Sequence, residues 1–160
     1  MENHIYVQTG EVKTGQLNDI IKSSPIGSCA VVILFDESIQ IAGMAHIMLP
    51  GKAPLRENII KNRYAEDAIK KLIEQLAEIG LKKDKLKAVL VGGGNVLKRN
   101  GDTIGLDNIK SVEMNLTRLK IPIVAKKVGG TERYATKFDI NAGIIYYTIG
   151  DNPEEILFRL

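Results

Sequence analysis

The chain holds one cysteine, Cys29, and two histidines, of which His46 is the one set among apolar residues. Cys29 begins the run Cys29-Ala30-Val31-Val32-Ile33-Leu34-Phe35-Asp36, and His46 lies in a second run from Ile39 to Pro50. A thiol beside an imidazole is the minimum equipment of a cysteine nucleophile, because the ring can take the proton that the attacking sulfur must lose. Two β-branched runs joined by a short polar link predict an antiparallel hairpin. A turn centred on Glu37-Ser38 sets Asp36 opposite Ile39 and, in the same register, Cys29 opposite His46. Directly opposed residues hold their Cβ atoms about 4.5–5.5 Å apart on one face of the sheet, within reach of proton exchange.

A lone cysteine in an apolar strand is more often an inert small hydrophobe than a nucleophile. Three features favour chemistry here. Cys29 begins its strand rather than lying inside it, Gly27 just before it permits close approach of another backbone, and the hairpin register supplies His46. A base also needs a third group to orient its ring. Ser23, Ser24, Ser28 or a backbone carbonyl are the candidates, since no Asp or Asn is placed by spacing to do this. The backbone N–H groups of the Gly27-Ser28-Cys29 segment are the natural donors to a tetrahedral oxyanion.

Other classes of function are poorly supplied. Lys and Arg total 22 against 19 Asp and Glu, a net charge of +3 that is spread along the chain, and there is no tryptophan. Neither a basic stripe nor aromatic stacking residues point to nucleic acid. Two histidines and one cysteine leave a metal site short of ligands, so none is expected. Gly92-Gly93-Gly94 lacks the Gly-Lys-Ser/Thr ending of a P-loop and the spacing of a dinucleotide fingerprint. A flexible strand exit near a pocket is expected there, and no cofactor. No apolar run approaches the roughly 18 residues that span a membrane, and Met1–Gly10 lacks the pattern of a signal peptide. With a single cysteine and no internal disulfide, a cytoplasmic protein is expected.

The elements that would position Cys29 and His46 follow from periodicity. Strands are predicted at residues 3–8 and 19–22, then a turn-forming loop over 23–28, then the hairpin. Ala65, Ala68, Ile69, Leu72, Ile73, Leu76 and Ile79 fall on one helical face, with Gly80 as the stop. A buried strand over 86–91 leads to a second helix near 105–120, whose start Asp107 or Asn108 could cap. A strand over 121–128 and a hairpin of 134–138 with 144–148 complete the pattern. The order predicts a single α/β domain over residues 1–160, a mixed-sheet sandwich with helices packed on the sheet.

These residues also carry a family resemblance. Ile26-Gly27-Ser28-Cys29, Val32-Ile33-Leu34-Phe35-Asp36 and Gly43-Met44-Ala45-His46-Ile47-Met48-Leu49-Pro50 resemble the signature of CheD, the chemoreceptor glutamine deamidases. The likeness extends through Tyr64-Ala65, Gly92-Gly93, Ile104-Gly105 with Asn108, Ile121-Pro122-Ile123 and Val128-Gly129-Gly130. It implies deamidation of glutamine side chains on methyl-accepting chemoreceptors through a cysteine thioester. The implied fold is that of the cysteine-hydrolase core of deamidating toxins. Cys29 is the implied nucleophile and His46 the base. Ser23 stands where the family has its third catalytic residue, a threonine six positions before the cysteine. A CheC-type phosphatase is the second partner implied, and a catalytically weak regulatory binding module is the alternative function. Pro25 and Asp107 depart from the family pattern, which has glycine and arginine there.

Overall fold

Ala30–Phe35 carries no polar residue, and every one of its side chains is buried. Such a run fits only a strand covered on both faces, and it forms the centre of the molecule. The computed structural model describes residues 1–160. Its elements are β1 (Asn3–Val7), β2 (Val12–Gln16), β3 (Asp19–Ser23), β4 (Ala30–Phe35), β5 (Ile41–Ile47), α1 (Ala65–Glu78), β6 (Lys87–Gly92), α2 (Ile104–Arg118), β7 (Ile123–Val128), β8 (Tyr134–Asp139), β9 (Ile144–Ile149) and β10 (Glu155–Arg159). They make two five-stranded sheets, one ordered β1-β3-β8-β9-β10 and the other β2-β5-β4-β6-β7.

The second sheet is the middle layer. On one face Val32 and Leu34 of β4, with Ala45 and Ile47 of β5, pack on Leu72 and Leu76 of α1 and on Val112 and Leu116 of α2. On the other face Val31, Ile33, Phe35, Met44 and Val91 meet Val7, Ile21, Phe138 and Ile145 of the first sheet. The rings of Phe35 and Phe138 cross edge to face, with centroids 5.7 Å apart. Each fully buried side chain of this size contributes about 1.5–3 kcal/mol relative to exposure, so both interfaces hold β4 in one register. The predicted mixed α/β sandwich is thus present, as two sheets with both helices on the outer face of one. No helix is long and apolar enough to cross a membrane.

Two strands were not foreseen. β2 reads Val-Lys-Thr-Gly-Gln and β10 reads Glu-Ile-Leu-Phe-Arg. Both are sheet edges, and neither alternates apolar with polar residues in the way that makes a strand visible in sequence. α1 starts and stops as expected. Gly80 takes φ +101°, and Gly80 N–H and Leu81 N–H donate to the carbonyls of Ala77 and Leu76, which completes a left-handed helix stop. α2 begins where expected, near Gly105, but with a different cap. Its first residue is Ile104, and Asp102 Oδ1 accepts the Ile104 N–H. Asp107 and Asn108 are therefore inside the helix and do not cap it.

Gly92-Gly93-Gly94 is not a flexible exit. Gly92 and Gly93 have φ of +118° and +70°, a region that favours glycine. A Cβ on Gly105, in the first turn of α2, would lie 2.5 Å from the Gly93 carbonyl oxygen. α2 therefore rests directly on the strand exit, backbone against backbone. Gly105→Ala must push the helix away and is expected to cost about 1–3 kcal/mol of stability, the usual range for overpacking. Leu106→Ala, at the exposed neighbour, should stay within about 0.5 kcal/mol. Urea midpoints of the two variants measure the difference.

Candidate functional site

The hairpin forms, but its register differs from the predicted one by two residues. Val31, not Cys29, lies opposite His46, and Ala30 lies opposite Ile47. The cause is the turn. Asp36 Oδ1 accepts both the Ser38 N–H at 2.8 Å and the Ser38 hydroxyl at 2.7 Å, which widens the loop and places Phe35 opposite Ala42. A slip of one residue would have sent Cys29 to the opposite face, whereas a slip of two keeps the face. Cys29 precedes β4 and sits diagonally to His46, a relation that spans roughly 7–8 Å between backbones and less between side chains. Both residues belong to the space between the sheets, where Cys29 packs on the inter-sheet core.

His46 is fully buried and held on all sides. Its N–H donates to the Glu11 carbonyl at 3.0 Å, and its own carbonyl accepts the Gly10 N–H at 2.8 Å. Its Nδ1 lies 3.4 Å from the Val7 carbonyl oxygen and 3.3 Å from Ser24 Oγ. A carbonyl can only accept, so Nδ1 carries the proton and Nε2 the lone pair. Nε2 is buried with no partner. The ring is therefore presented as a base with its acceptor nitrogen uncommitted. Both Nδ1 contacts are long for hydrogen bonds, so the ring is oriented by two weak partners and by its packing.

The serine against the ring is Ser24, not Ser23. The Ser23 hydroxyl accepts the Thr136 N–H at 3.1 Å and ties β3 to β8 instead. The parallel pairing of β1 with β3 explains the difference. Val7 lies opposite Ser23, and the Ser24 N–H donates to the Val7 carbonyl at 3.1 Å, so Ser24 and the Val7 oxygen arrive at Nδ1 together. Ser24 and a carbonyl were both among the open candidates. Spacing alone favours neither serine, because the choice rests on a strand pairing that skips over β2.

The Gly27-Ser28-Cys29 segment is pinned by its carbonyls. Gly27 O accepts the Gly94 N–H at 3.0 Å and Cys29 O accepts the Gly93 N–H at 2.7 Å. Ser28 O accepts from Asn108 Nδ2 at 2.9 Å. The N–H groups of these three residues donate to no backbone carbonyl and to no side chain. A fixed backbone with uncommitted donors beside a thiol is the arrangement that stabilises an oxyanion. The segment is also docked to the first sheet, through the paired backbone bonds of Ile26 and Tyr134 at 2.7 and 2.9 Å. Arg133, just before Tyr134, pairs with Asp151 at 2.9 Å on the surface.

Burial sets the charge states. It pushes the Cys29 thiol above its usual value. It pushes His46 below its usual value, opposed by the Val7 carbonyl and the charge of Glu11. The resting pair is a neutral thiol and a neutral imidazole, which suits proton transfer during attack rather than a standing ion pair.

Comparison with known proteins places the chain in a family. A family model described as CheD chemotactic sensory transduction matches residues 48–148. The chain belongs to the CheD family. The "Probable chemoreceptor glutamine deamidase CheD" of Chlorobium luteolum is 38% identical over 155 residues, covering 97% of this chain and 77% of that protein. The "Chemoreceptor glutamine deamidase CheD" of Halalkalibacterium halodurans is 37% identical over 124 residues, 74% of this chain and 76% of that one. Its Bacillus subtilis counterpart is 31% identical over 140 residues, 84% of each. The CheD family model begins just after His46, whereas the likeness to the Chlorobium CheD spans nearly the whole chain.

The lowered His46 value has a consequence for stability. The unfolded chain takes up a proton at the ordinary histidine pKa, while the fold holds the ring neutral to a lower pH. The contribution is complete above the ordinary value and is lost as pH falls through the lowered one. Urea midpoints measured across that window should fall for the native chain and fall less for His46→Gln. The NMR titration of the His46 ring should centre below the ordinary histidine range.

Proposed function

We propose that this chain deamidates glutamine side chains of chemoreceptors to glutamate, with Cys29 as nucleophile, His46 as general base and Ser24 with the Val7 carbonyl as the groups that orient the ring. The observation that carries the reading is the uncommitted Nε2 of His46, on the face of the hairpin that Cys29 shares. Family membership and the names of the relatives support the substrate.

The chemistry follows from the groups. As Sγ attacks the amide carbon, its proton passes to His46 Nε2, and the carbonyl oxygen becomes an oxyanion that the N–H groups of the Gly27–Cys29 segment receive. The imidazolium then gives that proton to the amide nitrogen, the C–N bond breaks, and ammonia leaves a thioester on Cys29. Water attacks the thioester carbon and gives a proton to the same Nε2. The C–S bond breaks, the proton returns to sulfur, and the new carboxylic acid gives its remaining proton to solvent, leaving glutamate with one added negative charge. Burial of Cys29 keeps sulfur protonated between turnovers, so nucleophilicity arises only when the base acts.

The surroundings of Cys29 favour a protein substrate. The five principal concavities of the surface include two of about 540 Å³, and none of the five is lined by Cys29 or His46. A small molecule would need a pocket that buries most of its surface, whereas a side chain carried on a helix brings its own positioning. The target is a glutamine on an exposed helix face of a receptor's helical bundle, flanked by small residues, which places the reaction in the cytoplasm. The family resemblance further implies a CheC-type phosphatase as partner, and a mixture of the two proteins should migrate as a complex on size exclusion.

Mass spectrometry of a receptor fragment before and after incubation tests the reading. Native chain should convert specific glutamines to glutamate, and a scrambled peptide of the same composition should turn over far more slowly. Cys29→Ala should abolish conversion while leaving the melting temperature nearly unchanged; wild-type conversion by that variant would sink the assignment. Ser24→Ala should lower kcat more than it changes KM, because a misplaced base hurts the transition state selectively. Ser23→Ala should instead act mainly through stability, since its hydroxyl holds β8.

A further inference from the structure

Asn108 is a polar residue in the buried stripe of α2, among Gly105, Ile109, Val112 and Leu116, and it is fully buried. Its Nδ2 donates to two backbone carbonyls, Ser28 O at 2.9 Å and Met48 O at 3.0 Å. Ser28 immediately precedes Cys29, and Met48 lies two residues beyond His46. The helix therefore reaches across with one amide group and holds both chain segments of the site. A primary amide has two protons, one for each carbonyl. Its Oδ1 is buried with no partner. Turning the amide over would set Oδ1 against two carbonyl oxygens, so the donor side is fixed by repulsion as well as by attraction. A buried orphan acceptor is costly, and its persistence here goes with the need for a double donor at this point.

The contact with Ser28 has a directional effect. In a trans peptide unit the C=O and the following N–H point in opposite directions. Holding the Ser28 carbonyl toward α2 turns the Cys29 N–H away from the helix. That N–H is one of the three in the segment with no acceptor in the protein. The Gly94 N–H does the same for the preceding unit by holding Gly27 O, but only Asn108 acts on the unit that joins Ser28 to the nucleophile.

We propose that Asn108 is a positioning residue for the deamidation: by holding the Ser28 carbonyl and the Met48 carbonyl together it aims the Cys29 N–H at the oxyanion of the tetrahedral intermediate. It touches neither substrate nor sulfur. The inference rests on Cys29 as the nucleophile.

Two measurements on the full chain separate this role from a merely structural one. Turnover of a receptor fragment develops an oxyanion; alkylation of Cys29 by iodoacetamide displaces iodide and develops none. Asn108→Ala should lower kcat about 10- to 100-fold, less than the roughly 100- to 1000-fold cost of deleting an oxyanion donor because the N–H is misaimed rather than removed, with KM little changed. The rate of Cys29 alkylation should remain within about threefold of wild type, well below the loss that a misplaced reacting group brings. Unchanged kcat in the folded variant overturns the proposal, as does a loss that merely tracks the unfolded fraction seen by circular dichroism. Equal losses of turnover and alkylation also overturn it, since they mean that the thiol and imidazole have separated. Should Asn108→Ala fail to fold, the near-isosteric Asn108→Asp decides. Its neutral acid offers a proton to Ser28 O and its carboxylate repels it, so kcat relative to wild type should climb as pH falls; a flat ratio overturns the proposal. Turnover by Cys29→Ala would refute the nucleophile and this inference with it, an outcome read from a different variant than the Asn108 results.

Discussion

Val31 faces His46 across β4 and β5, and that one register decides which side chains enter the space between the sheets. It is enforced from both sides. Leu34 and Val32 cannot leave the helices, and Ile33 and Phe35 cannot leave the first sheet, so a slip by one residue would invert a strand that is apolar on both faces and misplace every cross-strand partner at once. Cys29 and His46 are placed at the open end of this hairpin by packing that has nothing to do with chemistry. The segments around them then need only local ties: the Glu11 and Gly10 backbone on His46, and the Gly93, Gly94 and Asn108 donors on the Gly27–Cys29 segment.

The electrostatics of the site follow from the same burial. A thiolate and an imidazolium at rest would be two charges taken out of water, and their attraction would have to offset both desolvation penalties. The chain avoids this by keeping both groups neutral, with Cys29 shifted up and His46 shifted down. The Val7 carbonyl is the small correction that matters. It favours the charged ring modestly, against the larger effect of desolvation, and it selects the tautomer that leaves Nε2 available. On the proposed mechanism, proton transfer is thus coupled to the arrival of a substrate that can accept the sulfur.

Much of this was legible in the residues. The apolar runs, the helix stripes and the Gly80 stop each follow one local rule, and the face shared by Cys29 and His46 survives a wrong turn because parity is preserved over two residues. What was hidden depends on partners far away in sequence. β2 and β10 are edge strands that lack the alternating apolar pattern marking a strand in sequence. Ser24 rather than Ser23 meets the imidazole because β1 and β3 pair in parallel around an intervening strand that belongs to the other sheet. Asn108 did carry a signal, an amide inside an apolar helical stripe, but a capping role explained it too easily. The glycines after β6 looked loose because their composition is loose; only the approach of Gly105 shows that the space is filled.

Ile26 exchanges two backbone hydrogen bonds with Tyr134, so the shelf on which Cys29 rests is finished by a strand near the far end of the chain. Contacts between residues so distant in sequence form late, because closing a long loop precedes any reward from the contact. The hairpin that carries Cys29 and His46 is local and can form early. Its catalytic competence cannot. A chain whose last strands are still unfolded therefore carries both side chains but lacks the anchored backbone beside them, and on the proposed mechanism activity on refolding should appear with the slowest structural phase rather than with the hairpin. The enzyme is in this sense silent until folding is complete, a safeguard that arises from topology alone.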